Sequence, residues 1–175
     1  NEERPVLNRY IPSWEGRQTS DLYGRFPIQL ISTHPRYSFH TYSDGKDSTI
    51  NDIEDHRILH EGYYYWVLRL NPADAAVRGI CHHGLVRLFN ERGSVLCAAD
   101  VSPLIAEGVA KTFESSAVLD IFEDPRYGRV DRGGCVNLLT PRRHQVKGTS
   151  GMGCNSCLIE IAPWTEAVAL HLAAE

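Results

Sequence analysis

The sequence predicts a mainly β chain with short helices, closed into a barrel. Three observations carry that prediction. Short runs of branched and aromatic residues recur along the chain between turn residues. One or two short helices are expected, and 71–79 carries the start and stop signals of one. No internal repeat or low-complexity stretch interrupts the pattern. With 175 residues, 42% of them hydrophobic, the chain can bury one core of its own and falls in the range of a single domain. We divide it into a lead-in segment (1–25), the barrel (26–165) and a C-terminal tail (166–175).

The first strand is FPIQLI, whose Phe26, Ile28, Leu30 and Ile31 have the branched content of a buried strand. It runs into a row of donors: Ser32, Thr33, His34, Arg36, Ser38 and His40. Pro35 disfavours a helical His34, so the row should stay extended. Two-residue alternation then puts Ser38, His40 and Tyr42 on one face, and Tyr37, Phe39 and Thr41 on the other. Such a loop suits a polyanionic, heteroaromatic ligand.

YYYWVLRL (63–70) reads as a strand, and Asn71 as the cap of a short helix with Pro72 in its first turn and Gly79 at its end. LVRLF (85–89) and SVLCAADV (94–101) form a hairpin around 90–93, where Gly93 permits positive φ. A strand follows at 108–113. Residues 115–134, without a clear period, read as a long functional loop. LIEIA (158–162) closes the barrel. Asp74, Arg78 and Arg92 read as fixing the helix and hairpin, and Asp120, Glu123 and Asp124 as a solvated acidic loop.

Eighteen Lys and Arg against 22 Asp and Glu leave a net charge of −4, with no basic stripe for nucleic acid. No apolar run approaches the roughly 20 residues of a membrane span. The N-terminus lacks the basic and apolar regions of a signal peptide, and its first residue, Asn1, suggests a processed chain or a piece of a longer one. Five cysteines at irregular spacing fit a reducing compartment, so the expected location is cytoplasmic. Cys154 and Cys157 form a lone CxxC, which supplies only two of the four ligands of structural zinc. Cys81, His82 and His83 read as turn residues.

Six ordered segments then resemble one family: YIPSWEG (10–16), FPIQLISTHPRYSFHTYSDGKDS (26–48), NPADAAVRGI (71–80), LVRLFNERGSVL (85–96), GGCVNLLTPRR (133–143) and GMGCNSCLIEI (151–161). They are similar to the C-terminal dinucleotide-binding domain of molybdopterin oxidoreductases of the dimethyl sulfoxide reductase type. HTYSDGKDS, the segment Asp55-His56-Arg57 and NSCL favour a transhydroxylase branch of it. His83-Gly84 stands where the family usually has Gly-Asp, with Gly84 expected to free the turn.

The resemblance implies a six-stranded double-psi β-barrel that closes over bis(molybdopterin guanine dinucleotide), with molybdenum or tungsten. Ser32, Thr33, His34, Arg36, His40 and Thr41 match the first cofactor loop. Asn137 and Asn155 match positions that hold amides near the pterins, where an amide both donates and accepts. Gly133, Gly134, Gly151 and Gly153 would let backbone approach the ligand. Neither a catalytic residue nor a metal ligand is expected in this segment. The implied partners are the remaining domains of a large subunit and an iron–sulfur small subunit. The implied activity is transfer of a hydroxyl group between polyphenols without net redox. The alternatives are an S-oxide or N-oxide reductase and, in another class, a non-catalytic double-psi binding module.

Overall fold

The computed structural model describes residues 6–37, 48–114, 116, 118–144, 146, 148 and 157–165. Its strands are β1 (Ile28–Thr33), β2 (Arg57–His60), β3 (Tyr63–Leu70), β4 (Leu85–Phe89), β5 (Ser94–Val101), β6 (Val109–Phe113), β7 (Ile121–Asp124), β8 (Gly128–Asp131) and β9 (Cys157–Pro163), with helices α1 (Ser48–Asn51) and α2 (Pro72–Arg78). The strands pair in the order β2-β3-β6-β1-β9-β4-β5-β8-β7, and β3 also pairs with β5. That extra pairing closes β3, β6, β1, β9, β4 and β5 into a six-stranded barrel, leaving β2 and the β7–β8 hairpin as flanking strands. Two parallel pairs, β1 with β6 and β3 with β5, join strands far apart in sequence through antiparallel neighbours. These crossed connections are those of the double-psi barrel implied by the sequence, and closure leaves its six strands without free edges.

The near-continuous hydrophobicity of β3 follows from its position between two cores. Trp66, Leu68 and Leu70 point into one cluster with Ile28, Leu30, Leu88 and Ile159. Tyr65 and Val67 point into a second with Ile58, Leu96 and Val130. Alternation along a strand makes both faces apolar when both are covered. β5 repeats this, with Val95, Cys97 and Ala99 inward and Leu96 and Ala98 outward.

At the far end of β3, Asn71 Oδ1 accepts from Ala73 N at 2.8 Å, Pro72 opens α2, and Gly79 ends it in the left-handed region. Arg78 pairs with Glu160 at 2.6 Å and bonds Asp74, so these charges fix the helix as expected. The lead-in segment is tied to the barrel: Glu15, 8% exposed, takes both Arg92 terminal nitrogens at 2.7 and 2.8 Å and accepts from Leu158 N.

Four expectations change. The region expected to be a long loop contains the β7–β8 hairpin. Alternation was hidden there because only Asp124, Val130 and Asp131 of its two strands are buried. Its acidic residues are not merely solvated, since Asp120 pairs with Arg132 at 2.8 Å and Asp124 with Arg126 at 3.0 Å. Those bonds hold the Asp124 carboxyl below its ordinary range. In the 81–84 turn the positive φ belongs to His83 (62°), not Gly84. The β4–β5 turn does not use positive φ at Gly93 either. Gly93 is needed for space, as a Cβ there would lie 2.9 Å from the Leu138 carbonyl oxygen.

A candidate cofactor mouth at one end of the barrel

Register places the predicted segments together. Thr33 at the end of β1 lies opposite Phe113 at the end of the parallel β6. β9 enters at Cys157 opposite Leu30, so its first residue lies toward that same end. The β4–β5 turn belongs there too, and Leu138 of the single-turn 3-10 helix Val136–Leu138 packs on its Gly93. The segment after β1, the turn bearing Asn137 and the entry to β9 therefore share one mouth of the barrel.

Ser32 faces inward and is 7% exposed. Thr33 Oγ1 is buried and has no hydrogen-bond partner. His34 is exposed, its Nδ1 2.7 Å from Glu114 Oε1. Arg36, also exposed, places its guanidinium 5.5 Å from the Tyr37 ring centre. Asn137 is exposed on its 3-10 turn, and its backbone oxygen accepts from the Thr140 hydroxyl at 3.2 Å. His40, Thr41 and Asn155 lie outside the described residues, as do Gly151, Gly153 and Cys154. Cys157 is buried with Sγ 3.1 Å from Leu139 O, and burial pushes its thiol up to about 11.

The turn carrying Asn137 is organised from beneath by Asp131, which is 1% exposed. Its carboxylate accepts from the backbone N–H groups of Asp120 at 2.8 Å, Gly133 at 3.0 Å and Cys135 at 2.7 Å. Contrary to expectation, Gly133 and Gly134 give their free space to the protein itself. A Cβ on Gly133 would collide with Val118 O, and one on Gly134, where φ is +75°, would lie 2.7 Å from Trp66 Cδ1.

Trp66 is the hub of a group that the sequence did not single out. His56 meets its ring edge-on at 4.9 Å, Phe113 at 6.0 Å, and the Arg57 guanidinium lies over it at 4.1 Å. Tyr37, from the segment after β1, meets His56 edge-on at 6.3 Å. Burial lowers the pKa of His56 and brings Arg57 down to about 10. The segment Asp55-His56-Arg57 was visible as a family mark, but its place under the mouth depends on β2 pairing with β3.

A separate open cleft of about 230 Å³ on the barrel flank is lined by residues including Asp52, Glu54, Tyr64 and His83. Two pairs form in it, since Tyr64 donates to Asp52 and His83 Nε2 lies 3.1 Å from Glu54, while Asn51 Oδ1 is buried without a partner.

The fold is thus a closed six-stranded barrel with Thr33, Arg36 and Asn137 at one mouth. Residues 28–158 match the model of the Molydopterin dinucleotide binding domain, and the chain belongs to that family. It is 43% identical over 164 residues to the pyrogallol hydroxytransferase large subunit of Pelobacter acidigallici, covering 94% of this chain and 19% of that protein. To dimethyl sulfoxide reductase DmsA of Escherichia coli (strain K12) it is 34% identical, covering 77% of this chain and 14% of that protein. The chain thus spans about a fifth or less of the length of these relatives. Among solved structures, acetylene hydratase from Pelobacter acetylenicus superposes with a TM-score of 0.57 over 90% of this chain and 21% of that one, at 10% identity, a likeness of fold.

The residues present fit a molybdopterin dinucleotide. The mouth holds a buried hydroxyl without a partner at Thr33, an exposed cation at Arg36 and an exposed amide at Asn137. A group with phosphates and heterocyclic edges calls for this mixture of cationic, hydroxyl and amide donors. Among the described residues no cluster of three metal-ligating side chains occurs, and no helix is long and apolar enough to cross a membrane.

Proposed function

We propose that this chain is the domain that closes over bis(molybdopterin guanine dinucleotide), carrying molybdenum or tungsten, in the large subunit of a transhydroxylase. That enzyme would move a hydroxyl group between polyphenols, pyrogallol to phloroglucinol, without net redox change. The observation that carries the binding role is the buried, partnerless hydroxyl of Thr33 at the mouth where the polar loops gather. The identity over 94% of the chain supports the transhydroxylase reading.

In this reading Ser32, Thr33, His34, Arg36, His40 and Thr41 engage phosphates and ring heteroatoms from the first loop. Asn137 and Asn155 offer amides to pterin edges. Binding asks His34 to exchange its Glu114 partner for an anionic oxygen. The cofactor would supply the metal chemistry of the hydroxyl transfer; the residues of this chain would bind and orient it and exclude water. The remaining domains of the large subunit, an iron–sulfur small subunit and a cytoplasmic location belong to the same proposal, as does the division at residues 25 and 165. The 34% identity to DmsA favours an S-oxide or N-oxide reductase as the second reading.

The test measures molybdenum and pterin per folded polypeptide, with a thermal melt alongside. In the full-length enzyme, Asn155→Leu and His34→Ala should each lower cofactor content while the fold persists. Their combined effect should be less than additive if both grip one ligand. Wild-type content in both variants would remove the first loop and Asn155 from the site. A chain with no affinity for the cofactor would instead be a binding module of another kind.

A further inference from the structure

Buried polar atoms are nearly always paired, so an unpaired one calls for an explanation. Beneath the mouth four such atoms lie along one contiguous run of side chains: Thr33 Oγ1, both ring nitrogens of His56, and Trp66 Nε1. Thr33 registers with Phe113, whose ring packs on Trp66, whose ring packs on His56. His56 and Trp66 are each only 1% exposed. The described group covering His56 is Tyr37, a half-buried ring on the segment that carries His34 and Arg36.

We propose that His56 and Trp66 form an inner hydrogen-bonding wall of the cofactor mouth, engaged by a 2-amino-4-oxopyrimidine edge when Tyr37 turns aside. Pterin and guanine share that edge, which presents a carbonyl acceptor beside two N–H donors, the ring N–H and the amino group. A neutral imidazole offers one N–H and one lone pair, and an indole offers one N–H. Burial keeps His56 neutral at pH 7, so the wall matches an uncharged ring edge better than a phosphate. Arg36 and His34, exposed outside Tyr37, are left for the anionic oxygens. This inference rests on the molybdopterin reading above and extends it to residues to which the sequence assigned no cofactor contact.

The chain is labelled with ¹⁵N and titrated separately with guanosine monophosphate and with 6-hydroxymethylpterin. The indole N–H of Trp66, assigned with Trp66→Phe, should shift downfield with one of the two probes, and that arm identifies the ring. The indoles of Trp14 and Trp164 should stay in place. His56→Phe keeps the ring and removes both nitrogens, so it should melt no lower than wild type yet bind the effective probe about tenfold more weakly. Suppose instead that backbone signals of 133–137 respond while the Trp66 indole and the His56→Phe affinity do not. The wall is then refuted, and the mouth keeps its proposed role. If neither probe moves any signal, the molybdopterin reading fails and the inner wall falls with it. Should His56→Phe not fold, the Trp66 indole response in the unaltered chain decides alone.

Discussion

The two ends of the barrel bury polar side chains in opposite ways. At the α2 end three described side chains are each occupied: Asp74 Oδ2 accepts from Gly108 N at 2.7 Å, Asn71 Nδ2 donates to Ile105 O at 2.7 Å, and Arg78 reaches Glu160 and Asp74. At the mouth, Thr33, His56 and Trp66 hold buried polar atoms with no partner. Folding has no reason to keep unpaired donors in a core, where each costs about 1–3 kcal/mol. On the reading proposed above, the end with unpaired groups is the one that takes the ligand, and the α2 end serves the fold.

The contrast predicts where damage is greatest. Asp74→Ala strips Gly108 N of its partner and leaves Arg78 with one carboxylate, so it should destabilise the fold by about 3 kcal/mol in urea titration. Cofactor affinity of the surviving folded fraction should not change, because α2 lies at the opposite end. A loss under 1 kcal/mol would mean that the α2 end is less dependent on its pairing than the geometry implies.

Gly134→Ala attacks the mouth through packing. The added methyl meets Trp66 at 2.7 Å and sits where φ is +75°. Strain and displacement together should cost about 2 kcal/mol, with a change in Trp66 fluorescence that Asp74→Ala does not produce. An unperturbed indole would detach the 133–138 turn from the Trp66 hub.

Much of the satisfied end could be read from the sequence. Asn71, Pro72 and Gly79 announce α2 through local rules, and the aromatic and branched run YYYWVLRL gives β3 without reference to anything distant. The first loop was legible as well, since Pro35 and the row from Ser32 to His34 are local. What stayed hidden depends on long-range pairing. Asp131 reads as one more charge in a polar stretch until the fold brings three N–H groups onto it. His56 and Trp66 become a pair only when β2 docks on β3, and no spacing in the sequence says that their nitrogens lack partners. Positive φ at His83 was equally invisible, because a neighbouring glycine drew the expectation.

A pH titration sharpens the comparison. The pKa of His56 is lowered in the fold, so as pH falls the unfolded chain takes up its proton first, near 6.5. The stability tied to a neutral His56 is therefore present above about pH 6.5 and is lost as pH drops toward the lowered folded value. His56→Phe should flatten the stability curve between pH 7 and pH 5.5 relative to wild type. Two curves with the same slope would place the acid sensitivity elsewhere.

Thr33→Val is the mildest change and the most direct test of the unpaired end. Valine keeps the branched shape and the strand preference of threonine, and it removes a hydroxyl that is buried and bonded to nothing. In most cores this swap leaves a former partner unsatisfied and costs about 1–3 kcal/mol. Here no partner exists to be stranded, so stability of the ligand-free chain should stay within about 0.5 kcal/mol of wild type or rise slightly. In the full-length enzyme the same methyl would leave a cofactor atom without its donor, and retention of molybdenum and pterin through dialysis should fall about tenfold at unchanged melting temperature of the free chain. A destabilised chain with normal cofactor content would show that the hydroxyl serves the fold and would erase the difference between the two ends of the barrel.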